Sequence, residues 1–321
     1  MSANHANDIN IAIEIIKKAK ECGADAIKIQ TYTADTLTLN CKKKEFEAKG
    51  AWEGQYLYDL YLDASMPWEW TAKLQTVAKE IGITLFSSPF DFSSVKFLED
   101  LNMPAYKIAS PEIIDLPLVR RIAQTGKPII MSTGNATLAQ INEACAILIE
   151  ENARDLCILK CTSEYPASPK NINLKTIQNM KEIFKCPIGL SDHTLGSAIP
   201  IASVAMGTCM IEKHFIVDRK NTSADSFFSA TPNELKAIVD GSKMVQEAIG
   251  KVSYPILSPK PQRSLICIKD IKKGEMLKDS INFKSLRPGG GIEPKYLDLV
   301  KERLVNTDIK FGTLLTWEHL S

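Results

Sequence analysis

Ile188-Gly189-Leu190-Ser191-Asp192-His193 and, a short helix-like stretch later, Met210-Ile211-Glu212-Lys213-His214 are brief apolar runs that end on polar, reactive side chains. Five earlier runs have the same form. They are Ala26-Ile27-Lys28-Ile29-Gln30-Thr31, Thr84-Leu85-Phe86-Ser87-Ser88, Ala105-Tyr106-Lys107-Ile108-Ala109-Ser110, Ile129-Ile130-Met131-Ser132-Thr133 and Ile158-Leu159-Lys160-Cys161-Thr162-Ser163. Helical patterns separate them, and strand–helix alternation on this scale implies a parallel sheet. Eight such units close into a (β/α)₈ barrel, whose catalytic groups sit at the carboxyl ends of the strands. Lysines, serines and two histidines recur at that place here, which points to an enzyme.

The chain has 321 residues and a net charge of +1. One barrel of about 250 residues leaves room for a small second domain. Nothing in the charge pattern suggests nucleic acid, and Lys42-Lys43-Lys44 is followed at once by Glu45. No apolar run has membrane-spanning length. The eight cysteines include no CxxC pair, which predicts reduced thiols and a cytoplasmic protein.

Asp8 is placed to cap a first helix with an apolar stripe of Ile9, Ala12, Ile13, Ile16 and Ala19, ending at Gly23. Met1-Ser2-Ala3-Asn4-His5 reads as the tail of a strand and its loop, so the sequence is expected to start inside the first barrel unit. A long insertion follows the 26–31 run and carries Trp52, Tyr56, Tyr58, Tyr61, Trp68 and Trp70. Aromatic stripes are usually core, but long loops after barrel strands also cover substrates. The last barrel helix is predicted from about Asn233 to Ile249 after Thr231-Pro232.

The barrel domain is accordingly read as 1–250. A linker at 251–263 carries Pro255, Pro259 and Pro261, and a β-rich domain occupies 264–321. Within it Asp270-Ile271-Lys272-Lys273-Gly274 returns as Asp308-Ile309-Lys310-Phe311-Gly312, which suggests a pseudo-symmetric fold. Between the copies, Leu286-Arg287-Pro288-Gly289-Gly290-Gly291 lacks the strand–loop–helix setting of a phosphate-binding loop and reads as a turn presenting Arg287.

His193 and His214 end consecutive strands, close enough to bind one divalent ion with positions left open. A hydrogen-bonded histidine pair is the alternative. Lys107, Ser110, Ser132, Ser163 and Ser191 supply hydroxyls and one ammonium, a set suited to phosphate. Single serines more often satisfy strand-end carbonyls, and a barrel lysine can instead form a Schiff base. Glu112 and Asp225 are candidate acid/base or hydroxyl-binding groups.

Gly189-Leu190-Ser191-Asp192-His193-Thr194-Leu195-Gly196 with Glu212-Lys213-His214-Phe215 resembles the signature of the sialic acid synthase family. So do Ser2-Ala3-Asn4-His5, the 23–33 segment, Tyr106-Lys107-Ile108-Ala109-Ser110 and Cys161-Thr162-Ser163-Glu164-Tyr165-Pro166. The carboxyl domain is similar to that family's antifreeze-like (SAF) module, so the resemblance covers nearly the whole chain. Ser163, where an Asn usually stands in the sialic acid branch, the Asp225-Ser226-Phe227-Phe228-Ser229 segment and Arg287-Pro288-Gly289 most resemble the pseudaminic acid synthase branch.

The resemblance implies condensation of phosphoenolpyruvate with an open-chain amino-sugar aldehyde, the sugar of that branch being 2,4-diacetamido-2,4,6-trideoxy-altropyranose. N-acetylneuraminate or legionaminate synthesis, a lysine-dependent aldolase and an inactive truncated homologue are the alternatives. His193 and His214 would hold Mn²⁺ or Mg²⁺. Lys107, Ser110, Ser132, Ser163 and Ser191 would bind phosphoenolpyruvate. Lys28, Glu112 and Asp225 would serve the chemistry on the sugar side, with Gln30 and Tyr165 lining it. Arg287 would reach the sugar of the neighbouring subunit in a domain-swapped homodimer. The family's first strand carries a glutamate shortly before the Asn-His pair. That position lies upstream of Met1, so the strand and its carboxylate are expected to be missing and the barrel to be weakened.

Overall fold

The computed structural model describes residues 1–153, 155–254 and 261–321. Pro255 and Pro259 of the expected linker lie outside the described residues. The chain divides into two compact units, Met1–Gly250 and Lys251–Ser321, each described by itself.

The first unit is built on seven parallel strands: β1 (Ala26–Thr31), β2 (Thr84–Pro89), β3 (Tyr106–Ile108), β4 (Ile129–Ser132), β5 (Leu156–Cys161), β6 (Ile188–Asp192) and β7 (Ile211–Lys213). They pair in sequence order into one sheet, and all seven predicted runs are strands of it. Sequential order with helical crossovers follows from the right-handed βαβ rule. β1 and β7 are the sheet's edges, yet Lys28 Nζ of β1 lies 2.8 Å from Glu212 Oε1 of β7. The sheet is therefore curled until its two edges nearly meet.

Residues before the first helix occupy the mouth of that gap. Ser2–His5 is a buried 3₁₀ turn, not the extended strand tail expected from sequence. Asn4 explains the difference. Its Nδ2 donates to the Phe215 carbonyl (2.9 Å) and to Ser229 Oγ (2.7 Å), and its Oδ1 accepts from Ser223 Oγ (2.7 Å). The side chain thus meets its hydrogen-bonding needs across the gap, and the compact turn is what brings it there.

The helices owe their starts to local capping. Asp8 accepts from the Asn10 N–H at the head of Ile9–Glu21, Asp91 caps Phe92–Asp100, and Thr231 and Glu234 form a capping box on Pro232–Ile249. In the first helix the buried face is Ala12, Ile15, Ile16 and Ala19. Ile9 and Ile13 of the predicted stripe are partly buried against the same core, and Ile15 joins the fully buried set. The aromatic insertion is not one helix: it holds the short helices Ala34–Leu37 and Leu57–Ala64 joined by turns, and Met66 and Trp70 at its end join the core.

The second unit pairs β8 (Ser264–Cys267) with β9 (Phe283–Leu286), antiparallel. Its repeat is a real symmetry. Ile271 and Ile309 exchange both backbone hydrogen bonds at 2.8 Å. Lys272 pairs with Asp308 and Lys310 with Asp270, each at 2.8 Å. Gly274 and Gly312 close the two copies with φ of 84° and 81°, a conformation glycine adopts without strain.

Candidate active site

The carboxyl ends of the strands carry one connected set of polar groups. Lys107 is fully buried, and its Nζ donates to Ser132 Oγ (2.7 Å) and the Ile108 carbonyl (3.0 Å). Burial drives its pKa down to about 8, with Glu212 the main opposing influence. Glu212 is the hub. Its Oε1 accepts from Lys28 Nζ (2.8 Å) and Ser191 Oγ (3.2 Å) and lies 3.8 Å from Lys107 Nζ. Burial opposes its ionisation, but the charges of Lys107 and Lys28 hold its carboxyl far below the ordinary carboxylate range. Two lysines facing one carboxylate leave this floor net positive, which suits an anionic substrate.

Beside Lys107, Gly134 brings the backbone against the hydroxyl cluster. A Cβ there would stand 2.1 Å from Ser163 Oγ and 2.9 Å from Ser110 Oγ, so only glycine fits. The Gly134 N–H donates to Ser110 Oγ (3.0 Å). Ser163 Oγ is buried with no hydrogen-bond partner. A buried hydroxyl with unused hydrogen-bonding capacity beside Ser110 Oγ and the Gly134 backbone has the right chemistry to meet a phosphate oxygen. Glu112 Oε2 is likewise buried without a partner, and burial raises that carboxyl to about 7, poised to give or take a proton near neutrality.

The histidines form the opposite wall, with ring centroids 5.4 Å apart. His193 Nδ1 is 2.8 Å from the Thr162 carbonyl. His214 Nδ1 is 3.0 Å from Ser2 Oγ and 3.4 Å from Asp225 Oδ2. With Nδ1 engaged by a carbonyl or carboxylate, each ring has Nε2 left for a ligand, the arrangement typical of metal-binding imidazoles. Burial lowers the His214 pKa, keeping it a neutral donor. Burial pushes Asp225 up, but hydrogen bonds with His214, Ser2 and the Ala3 backbone outweigh it and hold the carboxyl below its usual value. Among the described residues no group of three or more His, Cys, Asp or Glu is arranged around a metal position. The pair therefore fits a divalent ion only as an open site completed by substrate or water.

Aromatic side chains roof the histidines. Tyr165 lies 4.4 Å from His193 and 5.1 Å from Phe228, and Trp52 of the insertion lies 5.4 Å from Tyr165, centroid to centroid. Trp52 Nε1 donates to the Ala224 carbonyl (2.8 Å), which ties the insertion to the Asp225 loop. Gln30 stands two residues beyond Lys28 on the same face of β1. Lys28, Gln30, Lys107, Ser110, Glu112, Ser132, Ser163, Tyr165, Ser191, His193, His214 and Asp225 thus all belong to the strands and following loops at the carboxyl end of one sheet. Arg287 is exposed, in the turn after β9 of the second unit. Glu212, Gly134, Trp52 and Phe228 were not singled out as site residues from sequence. Glu212 follows the apolar start of its run as Lys28 and Lys107 do, and that was its available signal.

The model of the NeuB family matches residues 15–254. The chain belongs to the NeuB family. It is 45% identical to pseudaminic acid synthase of Campylobacter jejuni subsp. jejuni serotype O:2, over 98% of this chain and 93% of that protein. It is 41% identical to pseudaminic acid synthase of Helicobacter pylori, over 98% and 95%. Among solved structures, N-acetylneuraminic acid synthetase of Leptospira borgpetersenii superposes with a TM-score of 0.72 at 30% identity, covering 80% of this chain and 85% of that one. The spore coat polysaccharide biosynthesis protein SpsE of Bacillus subtilis gives 0.66 at 29% identity over 99% and 93%. These likenesses place the curled parallel sheet of this NeuB protein in the architecture of sialic acid synthases.

Proposed function

We propose that this NeuB-family enzyme is a pseudaminic acid synthase. It would condense phosphoenolpyruvate with open-chain 2,4-diacetamido-2,4,6-trideoxy-altrose and water to give a nine-carbon 2-keto acid and phosphate. The observation that carries the reading is the pair of full-length matches to pseudaminic acid synthases, joined here to a buried lysine–serine cluster facing two histidines. With these substrates it would work in the cytoplasm; among the described residues no helix is long and apolar enough to cross a membrane.

Lys107, Ser110, Ser132, Ser163 and Ser191 would hold phosphoenolpyruvate, and Lys28 would serve the chemistry on the sugar side. His193 and His214 would hold Mn²⁺ or Mg²⁺, which when bound supplies Lewis-acid polarisation of the sugar aldehyde. C3 of phosphoenolpyruvate then attacks the aldehyde carbon, water adds at the cationic C2, and phosphate leaves. Glu112, titrating near neutrality, can accept the proton released by that water. Asp225 fixes the tautomer of His214. Gln30 and Tyr165 line the sugar, and Arg287 of the partner subunit would reach it in a domain-swapped dimer through a SAF-type carboxyl domain. The first unit would act as a (β/α)₈-type barrel.

Phosphate release from phosphoenolpyruvate, measured with the altrose-configured diacetamido sugar, its legionaminate-series counterpart and N-acetylmannosamine, tests the reading. Turnover with the first alone, abolished by chelator and by His193→Ala or His214→Ala, is the expected result. Preference for another sugar would reassign the branch. Borohydride trapping of a pyruvate adduct would instead make it a lysine aldolase.

A further inference from the structure

We propose that the buried ion pair Asp192–Lys213 is a positioning device that holds His193 and His214 at the spacing a shared divalent ion needs. The inference rests on the reading of the two histidines as metal ligands. Asp192 is the last residue of β6 and Lys213 the last of β7, and they face each other as the final rung of the β6–β7 pairing. Each is followed at once by a histidine. The backbone ladder therefore stops where the candidate ligands begin, and a side-chain tether stands at that point.

Strand alternation separates the pair from the pocket. Ser191 and Glu212, one residue earlier, meet on the pocket side, Oγ to Oε1 at 3.2 Å. Asp192 and Lys213 accordingly point to the opposite face of the sheet, and His193 and His214 return to the pocket. On that far face Lys213 Nζ lies 2.5 Å from Asp192 Oδ2, the two side chains being 4% and 0% exposed. No step of the proposed reaction uses either group.

The pair also encloses His193. Asp192 Oδ1 accepts from the Thr194 N–H (3.1 Å), and Oδ2 accepts from Thr194 Oγ1 (3.0 Å). Lys213 Nζ donates to the Thr194 carbonyl. The residues before and after His193 are thus fixed to one ammonium, and the residue that carries it precedes His214. The rings take their orientation from other partners, His193 from the Thr162 carbonyl and His214 from Ser2 and Asp225. Orientation is set ring by ring, and the distance between the rings by the ion pair. A buried ion pair adds little net stability, because desolvation consumes most of its attraction, and apolar residues of similar volume often replace it without loss. Such residues lack the directed bonds to Thr194, so the variants that remove the charges separate positioning from stability.

Asp192→Asn/Lys213→Met removes both charges together and keeps an acceptor for the Thr194 N–H. Mn²⁺ affinity is measured by electron paramagnetic resonance of the free ion without sugar, and phosphoenolpyruvate affinity by calorimetry without metal. His193→Ala sets the level of a lost metal site. The double variant should melt cooperatively, bind Mn²⁺ about tenfold more weakly than wild type, and bind phosphoenolpyruvate as wild type does. Asp192→Asn alone, which is isosteric, should weaken Mn²⁺ binding about threefold and decides if the double variant fails to fold. A folded variant with wild-type Mn²⁺ affinity overturns the proposal. So does an equal loss of Mn²⁺ and phosphoenolpyruvate affinity, which would show a general loosening of the site. A wild type that binds no Mn²⁺ overturns the metal reading itself, and this proposal with it.

Discussion

Glu212→Gln isolates the electrostatic role of the residue that joins the two halves of the site. Lys107 titrates at about 8 because burial lowers it while Glu212 holds it up. The charges are 3.8 Å apart. At an effective dielectric of about 20 they interact by roughly 4 kcal/mol, equivalent to about 3 pKa units. Glu212 also serves Lys28, and water relaxes around the change, so a loss of about 1 to 3 units is expected. Glutamine keeps the size and an acceptor for Lys28 and Ser191 but removes the charge. Lys107 should then titrate between about 5 and 7. A lysine is cationic below its pKa, so the wild type keeps the phosphate anchor up to about pH 8, and the variant loses it as pH rises through the lower value. A bound phosphate dianion restores the proton, so the cost falls on binding. KM for phosphoenolpyruvate should rise by up to tenfold per pH unit above the variant's pKa, with kcat at saturation less affected. Steady-state phosphate release from pH 6 to 9 measures this. A variant whose KM differs from wild type by the same factor at every pH would refute the electrostatic coupling and leave Glu212 only a steric part.

The orphaned Ser163 hydroxyl predicts that Ser163→Ala will melt within about 0.5 kcal/mol of wild type while KM for phosphoenolpyruvate rises about tenfold, because the hydroxyl has no partner to lose until substrate binds. Asn4→Ala should lower stability by about 2 to 4 kcal/mol in denaturant melts, since it strands Ser223, Ser229 and the Phe215 carbonyl together. The same variant should raise the Mn²⁺ concentration needed for half-maximal turnover, because the loop it releases carries Asp225. Mixing Arg287→Ala with His193→Ala protein should restore part of the activity if the carboxyl domain acts in trans, and exchanged subunits without activity would argue against the swapped dimer.

The strands were legible because each is a short apolar run between helical patterns, and the reactive positions were legible because all of them follow the same place in that pattern. The Asp270 and Asp308 repeats were legible for a similar reason: two near-identical local sequences meet, so each lysine finds the other copy's aspartate. What sequence spacing did not give is anything that depends on which distant segments meet. Gly134 is essential only because Ser163 of the neighbouring strand's loop comes so close to it. Ser2–His5 is a turn only because Asn4 reaches residues more than 200 positions away. The central case is Glu212. Its partners Lys28 and Lys107 stand on β1 and β3, and Lys28 is 184 positions distant. No local pattern marks it as their shared counter-ion, since its strand is not paired with either of theirs. Only the curl of the sheet brings the two edges together. The same curl that builds the pocket therefore sets its charge balance, and a change that let the β1 and β7 edges part would discharge Lys107 before it unfolded the sheet.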